Sequence, residues 1–150
     1  MKIQSGNFGI FKSEEYELIL SESVGKCSLI IRSEEITNNQ KMIGFREYVK
    51  HLFTLDIRCN ELESAYQKNI FCIYNGGKYE IGNFSKNKVV LFPDLATKTQ
   101  LGLHIYDDRS IDVDSEIFFR EVKEVWEIRQ PIEGLKFNVE PVVNIKLDNR

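Results

Sequence analysis

The sequence predicts a mainly β fold, of the α+β kind with minor helix, built as a single-domain antiparallel sheet. Apolar and polar residues alternate with a period of two along most of the chain, which is typical of strands with one side on a core and the other in water. The pair Asn75 and Gly76 separates two such runs, and both residue types tolerate the positive φ angles of a type I′ hairpin turn. The alternation does not determine how the strands are arranged in space, so a barrel-like sheet and a two-sheet arrangement are both possible.

The individual elements follow from the same pattern. Residues 16–20 and 27–31 alternate on either side of a turn at Gly25, which predicts a first hairpin. Further strands are predicted at residues 53–59, 70–74, 79–81, 89–94, 101–105, 116–122 and 142–147. The clearest helical pattern covers residues 42–52, where Met42, Phe45, Val49 and Leu52 recur at three- and four-residue steps. This stretch is short, and irregular chain entering the following strand is an equal alternative.

Size and charge limit the classes of function. The chain has 150 residues with 42% hydrophobic and 11% aromatic content, which suffices for the core of one globular domain over residues 1–150. Its formal net charge of -3 argues against a protein that coats nucleic acid or an anionic membrane, because either task needs a dense basic surface. A charged partner is therefore expected to be basic.

The cysteines and the N-terminal residues indicate the cellular compartment of the protein. The first residues lack the apolar run of a signal peptide, and the sequence holds no apolar span of 18 residues. Cys27, Cys59 and Cys72 are far apart in the sequence, form no CxxC pair and sit within apolar alternation. We expect a cytoplasmic protein whose cysteines are reduced and buried.

A short internal echo links two parts of the chain. Residues 56–66 and 116–126 each carry a strand-like run, then Glu, an aliphatic residue, two polar residues, a small or β-branched residue and a large aromatic. We interpret each copy as a strand ending in a tight helical turn whose aromatic covers the end of the sheet. Tyr66 and Trp126 would be equivalent plugs, with Arg129 and Pro131 defining the exit of the chain after Trp126.

No catalytic, metal or cofactor site is expected. His51 and His104 have no metal-ligand spacing to another histidine, acid or cysteine, and the sequence contains no GxSxG, P-loop or GxGxxG motif. The positions of Cys59 and Cys72 fit a role in the core better than a role as a catalytic nucleophile.

One segment is rich in carboxylates. Its acidic residues are Asp107, Asp108, Asp112, Asp114 and Glu116. The spacing does not match an EF-hand, and no apolar surround is present to raise one carboxylate pKa for catalysis. A solvated loop between two strands and a surface that meets a basic partner are the open alternatives. We nominate these five residues as partner-binding.

Several stretches carry a resemblance to a known group of proteins. Residues 118–122 are a candidate late strand, followed at 123–137 by an acidic turn with an aromatic and an Arg-Gln-Pro-Ile closure. Together with residues 61–66 and the hairpin at 73–81, they resemble small immunity proteins of Gram-positive polymorphic toxin systems. The resemblance spans about the last two thirds of the chain.

The resemblance implies a non-catalytic intracellular antidote, encoded beside a toxin gene, that binds and neutralises a cognate toxin domain by protein–protein contact, with a basic nuclease as one candidate toxin. From the net charge and the absence of cofactor motifs, we also expect no direct contact with nucleic acid or membrane, and no cofactor. The alternative is another non-catalytic β-rich domain that binds a protein or a small apolar ligand. For the small-ligand case we expect an interior cavity lined by phenylalanine and tyrosine.

Overall fold

The computed structural model describes residues 3–147 and confirms the mainly β fold, with 49% strand and 15% helix. The eleven strands are antiparallel. They are β1 (Gly6–Phe11), β2 (Glu14–Leu20), β3 (Lys26–Arg32), β4 (Arg46–Val49), β5 (Leu52–Arg58), β6 (Ser64–Tyr74), β7 (Gly77–Phe84), β8 (Lys88–Pro93), β9 (Ile111–Asp114), β10 (Glu124–Gln130) and β11 (Val142–Ile145). The helices are α1 (Asn38–Ile43), α2 (Leu95–Gln100) and α3 (Ser115–Glu121), with a 3-10 turn at Cys59–Glu61.

Contacts within the chain group into two compact units that share strand β6. The N-terminal unit comprises Gly6–Gln67 and Pro131–Val139. The C-terminal unit comprises residues 3–5, Lys68–Gln130 and residues 140–147. That residues 1–150 form one globular domain stays a prediction.

The N-terminal unit has the strand order β4-β5-β3-β2-β1, with the start of β6 beside β1. The predicted hairpin of residues 16–20 and 27–31 is confirmed, because Leu18 lies opposite Leu29 and Leu20 lies opposite Cys27. Alternate side chains of these strands enter a shared core. Its buried members are Phe11, Tyr16, Leu18, Cys27, Leu29, Phe45, Ile57, Cys59, Leu62, Ala65 and Ile132.

The C-terminal unit has the order β6-β7-β8-β9, and β10 pairs with β6 and with β11. The predicted turn between β6 and β7 is confirmed as type I′, since Asn75 and Gly76 have φ angles of 49° and 78°. A second core fills the buried side of these strands. It contains Ile3, Ile70, Cys72, Tyr79, Ile81, Val89, Leu91, Phe118, Val122 and Val125. Among the described residues neither unit closes into a barrel.

The helix predicted over residues 42–52 is wrong. Helix α1 begins earlier, at a capping box in which Thr37 and Gln40 exchange side-chain and backbone hydrogen bonds of 2.9 and 3.1 Å. It ends before Gly44, whose φ of 124° is unsuited to a side chain, and the residues that follow form β4 and β5. The three- and four-residue spacing in this region therefore belongs to a helix end and two strands.

The strand predicted at residues 116–122 is also wrong, because this stretch forms α3. The Asp114 carboxylate caps the helix by accepting hydrogen bonds from the N–H groups of Glu116 (3.0 Å) and Ile117 (3.3 Å). Phe118 and Val122, four residues apart, are both fully buried. Residues four apart lie on the same side of a helix, so Phe118 within α3 and Val122 at its C-cap both reach the core.

The strand predicted at residues 101–105 is the third error. Leu101 is the C-cap of α2, and Gly102 turns the chain with a φ of 74°. Leu101 and Ile105 are exposed, so this alternation does not correspond to a buried side.

The two echoing stretches share only their second half. Each has a helical turn followed by a strand whose third residue is the aromatic, Tyr66 in β6 and Trp126 in β10. Tyr66 is buried, whereas Trp126 is partly exposed in the middle of β10, opposite Asn144 of β11. The interpretation of Trp126 as a plug at the end of the sheet is therefore wrong.

The β6–β7 turn generates the first testable prediction. Replacing Gly76 by Ala should lower the free energy of unfolding by about 1 kcal/mol, because a side chain at positive φ is strained. A Cβ atom at this position would meet nothing within 4 Å, so the loss reports backbone conformation alone. Urea denaturation measures it, with G76N as the matched control, since Asn tolerates this conformation and should lose less. Equal losses in G76A and G76N would contradict the turn assignment.

Candidate partner-binding face

The five nominated acidic residues do not form one loop. Asp107 and Asp108 lie in the loop before β9, Asp112 and Asp114 lie in β9, and Glu116 lies in the first turn of α3. Only the first two match the predicted loop. The other three belong to regular structure, which places them by strand and helix geometry.

Three of these carboxylates already have partners within the protein. Asp107 accepts a hydrogen bond of 2.9 Å from the N–H of Arg109 and forms an ion pair of 3.0 Å with its guanidinium. Asp112 pairs with Lys88 at 3.4 Å, with both side chains about half exposed, and Asp114 caps α3. The Lys88–Asp112 pair is exposed and contributes little to stability, so Asp112 stays accessible to a partner. The Asp107 side chain is only 20% exposed and is less accessible.

The strands of the C-terminal unit present a second surface on the side opposite their core. Ile70 and Cys72 of β6 are fully buried, so Phe71 between them points outward. The same alternation directs Trp126 of β10 outward, because Val125 and Glu127 on either side are buried. The outward face includes Phe71, Lys78, Glu80, Lys88, Phe92, Asp112, Asp114, Glu124 and Trp126, and we name this set the aromatic face.

The centre of the aromatic face is a pair of stacked rings with a cation. The rings of Phe71 and Trp126 have centroids 6.1 Å apart and an interplanar angle of 22°. The Nζ atom of Lys78 lies 5.5 Å from the Phe71 centroid and 5.6 Å from the Trp126 centroid. Both distances are within the range of a cation–π interaction.

A third aromatic side chain lies on the same face. Phe92 of β8 is 41% exposed and points outward, because its neighbours Leu91 and Pro93 are buried. Its ring covers Gly82 of β7 so closely that a Cβ atom at Gly82 would be 2.2 Å from it. Gly82 therefore lets the Phe92 ring lie flat against the sheet.

Carboxylates surround these rings. Glu80 lies between Phe71 and Phe92 in the register of three strands, and its Oε1 accepts a hydrogen bond of 2.8 Å from Asn69. Asp112 lies opposite Val90 on the next strand, and Glu124 precedes Trp126 by two residues on the same side of β10. The face thus combines an aromatic centre with an acidic margin that includes Asp112 and Asp114.

The sequence analysis missed the aromatic centre. Its signal was present, because residues 70–74 and 89–92 are apolar at outward as well as inward positions. A half-buried strand normally alternates, and a continuous apolar run indicates a strand covered on both sides or a face that binds something. The position of Trp126 beside Phe71 depends on the pairing of β10 with β6, which no local pattern specifies.

The buried side of β10 carries a charged cluster. Lys68 is 1% exposed and forms an ion pair of 3.4 Å with Glu127, whose other oxygen receives the Arg129 guanidinium at 2.7 Å. The two cations neutralise the negative charge of the buried carboxylate between them. Removing one partner of such a buried pair is strongly destabilising. We assign this cluster to the structure of the unit.

The cysteines and histidines give no reactive centre. All three cysteines are free and buried, which confirms their predicted core positions. Burial raises the pKa of the Cys72 thiol to about 12, so a thiolate is disfavoured. His51 and His104 are exposed, and within residues 3–147 no three His, Cys, Asp or Glu side chains come close enough to hold a metal ion.

Both units have surface clefts large enough for a small molecule. A cleft of about 450 Å³ in the C-terminal unit is lined by residues 3–5, Ile70 and residues 81–84, with Phe84 as its single aromatic side chain. A cleft of about 550 Å³ in the N-terminal unit is lined by Lys26, Asp56, Arg58 and Glu61 together with smaller side chains. Neither matches the predicted cavity of phenylalanines and tyrosines.

Comparison with known proteins identifies a conserved family. The family model described as uncharacterised conserved protein UCP033725 matches residues 3–110, more than two thirds of the chain. The match includes Asp107 and Asp108 and ends before β9. No curated protein and no solved structure matches the chain. Over residues 3–147, none of the helices has the length and apolar character needed to cross a membrane.

The two acidic residues of β9 generate the second prediction. Replacing Asp114 by Ala should lower the free energy of unfolding by about 1 kcal/mol, because α3 loses its N-cap. D114N should remain near the wild type, since Asn caps a helix as well as Asp does. The matched control D112A, which removes only an exposed ion pair, should change stability by less than about 0.5 kcal/mol. Thermal unfolding measures all three, and equal losses in D114A and D112A would contradict the capping role.

Proposed function

We propose that this chain, which belongs to the family of uncharacterised conserved protein UCP033725, is a non-catalytic immunity protein. It would bind a cognate toxin domain by protein–protein contact and neutralise it. The observation that carries this proposal is the aromatic face, where partly exposed rings and carboxylates lie on one sheet surface.

The composition of the aromatic face supports binding to a protein. Interface centres are enriched in Trp, Tyr and Phe, and a few such residues provide most of the binding energy. Trp126, Phe71 and Phe92 are of this kind and are attached to neighbouring paired strands, so little conformational entropy is lost when a partner covers them.

The charge of the face indicates which partners fit. Glu80, Asp112, Asp114 and Glu124 provide four carboxylates against the two cations Lys78 and Lys88. A surplus of negative charge speeds encounter with a basic surface and disfavours an acidic one. A basic nuclease domain is therefore a suitable toxin, because such enzymes need positive charge to hold their own substrate.

Binding of a small apolar ligand has weaker support. The 450 Å³ cleft has polar side chains such as Gln4, Ser5 and Asn83 along its wall, while a ligand pocket is mostly apolar and aromatic. Most of the large aromatic side chains of the C-terminal unit lie either in its core or on the outward face. A protein partner is the better match to this distribution.

Growth rescue tests the proposed function. We expect that co-expression of this chain with the C-terminal domain of the protein encoded immediately upstream restores growth that the domain alone prevents. W126T combined with F92T should abolish rescue and weaken the complex by at least about tenfold, since hot-spot aromatics are lost. The matched control is Y48T, which removes an aromatic that is 74% exposed on β4 of the N-terminal unit.

The variants separate binding from folding. Trp126 and Phe92 are partly exposed, so the double variant should keep most of its thermal stability while losing the complex. Loss of rescue in Y48T to the same extent would place the interface elsewhere. Absence of rescue by the wild-type chain against a toxic neighbour would overturn the immunity function.

The acidic residues generate a kinetic prediction. A variant with Asn at Asp107, Asp108, Asp112 and Asp114 should associate with the toxin domain about tenfold more slowly at low ionic strength, because electrostatic steering is reduced. Its association rate should also depend less on salt. Stopped-flow measurement of the association rate constant checks both effects.

The control for this variant removes the same charge from elsewhere. Gln at Glu22, Glu34, Glu35 and Glu47 of the N-terminal unit changes the net charge equally on other exposed positions. If both variants slow association to the same degree, total charge and not the position of the acidic residues governs encounter.

A further inference from the structure

The contact of Lys78 with two aromatic rings suggests what the aromatic face recognises. We propose that Phe71 and Trp126 form a slot for a cationic side chain of the partner protein, and that Lys78 fills this slot until the partner arrives. The inference rests on the proposed binding function and specifies the chemistry at its centre.

The geometry of the slot fits a cation. The two ring planes are inclined by 22°, so their faces point in nearly the same direction. The Lys78 ammonium is 5.5 and 5.6 Å from the two centroids, which means that one charge contacts both π surfaces at once. The negative electrostatic potential over both ring faces attracts a cation to this position.

Lys78 is a replaceable occupant. Its side chain is exposed and, among the described residues, forms no salt bridge, although its charge acts on the nearby Asp94 carboxylate. An exposed cation–π contact is weak, and a Lys ammonium is readily hydrated when it leaves. The position of its backbone does not depend on the rings, because the N–H of Lys78 donates to the hydroxyl of Thr97 at 2.9 Å. The side chain can therefore leave the slot without moving the strand.

An arginine of the partner would bind this slot better than Lys78 does. A guanidinium is planar, stacks on aromatic rings and can form two parallel hydrogen bonds with a carboxylate. Glu80 lies opposite Phe71 in the next strand, and Asn69 orients its carboxylate by a hydrogen bond to Oε1. An arginine of the partner can therefore stack on Trp126 and pair with Glu80 at the same place on the surface.

The charges around the slot favour a basic protein over a nucleic acid. Single-stranded nucleic acids also stack on aromatic side chains, but their phosphates require a positively charged groove. The margin here contains Glu80, Glu124 and Asp112, which repel phosphates. Charge complementarity therefore favours binding of arginine and lysine side chains of a partner protein in the slot.

The single tryptophan makes a direct experiment possible. Trp126 is the only Trp in the chain, so its fluorescence reports the slot without interference. The probe is an acetylated and amidated tetra-arginine peptide, titrated into the full chain at low ionic strength. We expect saturable quenching, weakened about fivefold or more by F71L and by E80Q as a stacking ring or a carboxylate is lost.

Lys78 variants decide whether the slot is occupied as proposed. K78A should bind the peptide about two- to fivefold more tightly than K88A does, because both variants remove one positive charge but only K78A removes the competing occupant. K88A removes the same charge from an outward position of β8 that contacts neither ring. Equal binding by the two variants, or weaker binding by K78A, would overturn the proposal.

Two further outcomes also count against the slot. Quenching by a single-stranded oligothymidylate and not by the peptide would assign the face to nucleic acid. Absence of quenching by the peptide would show that no cation slot exists. Because the titration needs no toxin, failure of the slot is distinguishable from failure of the immunity function, which growth rescue tests separately.

Discussion

Burial of one side of the strands in the C-terminal unit is the constraint on which the other features depend. Ile70, Cys72, Val89 and Leu91 are fully buried, and the two-residue period of a strand then fixes which side chains point outward. A register shift of one residue would exchange the two sets, which makes the register strongly specified. The stacked rings and their acidic margin are thus held in place by the core behind them.

The helices depend on different, local interactions. Helix α1 is defined by the capping box of Thr37 and Gln40 and by Gly44 at positive φ, and α3 is defined by the Asp114 cap. Neither helix is long enough to be stable alone, so each also needs packing against strands. For α3 this packing is the burial of Phe118 and Val122. The predicted strand at 116–122 was wrong because an apolar run of this length fits both a strand and a short helix.

Carboxylates in this protein have structural and electrostatic roles at the same time. Asp114 caps a helix, Asp107 orders its loop through Arg109, and Glu127 is buried between Lys68 and Arg129. Only the exposed members contribute to the field that a partner meets, because buried charges are compensated by their neighbours. The acidic composition alone therefore overstates the number of residues available for recognition, and the structure separates the two groups.

The sequence by itself determined the mainly β class, the type I′ turn at Asn75 and Gly76, the first hairpin and the core positions of the cysteines. These features follow from alternation and turn chemistry, which act over a few residues. Only the tertiary structure decided that Trp126 lies beside Phe71, that Phe92 covers Gly82 and that Lys78 spans two rings. Each of these contacts joins different strands, and strand pairing depends on the burial of a whole sheet side, which a local pattern does not encode.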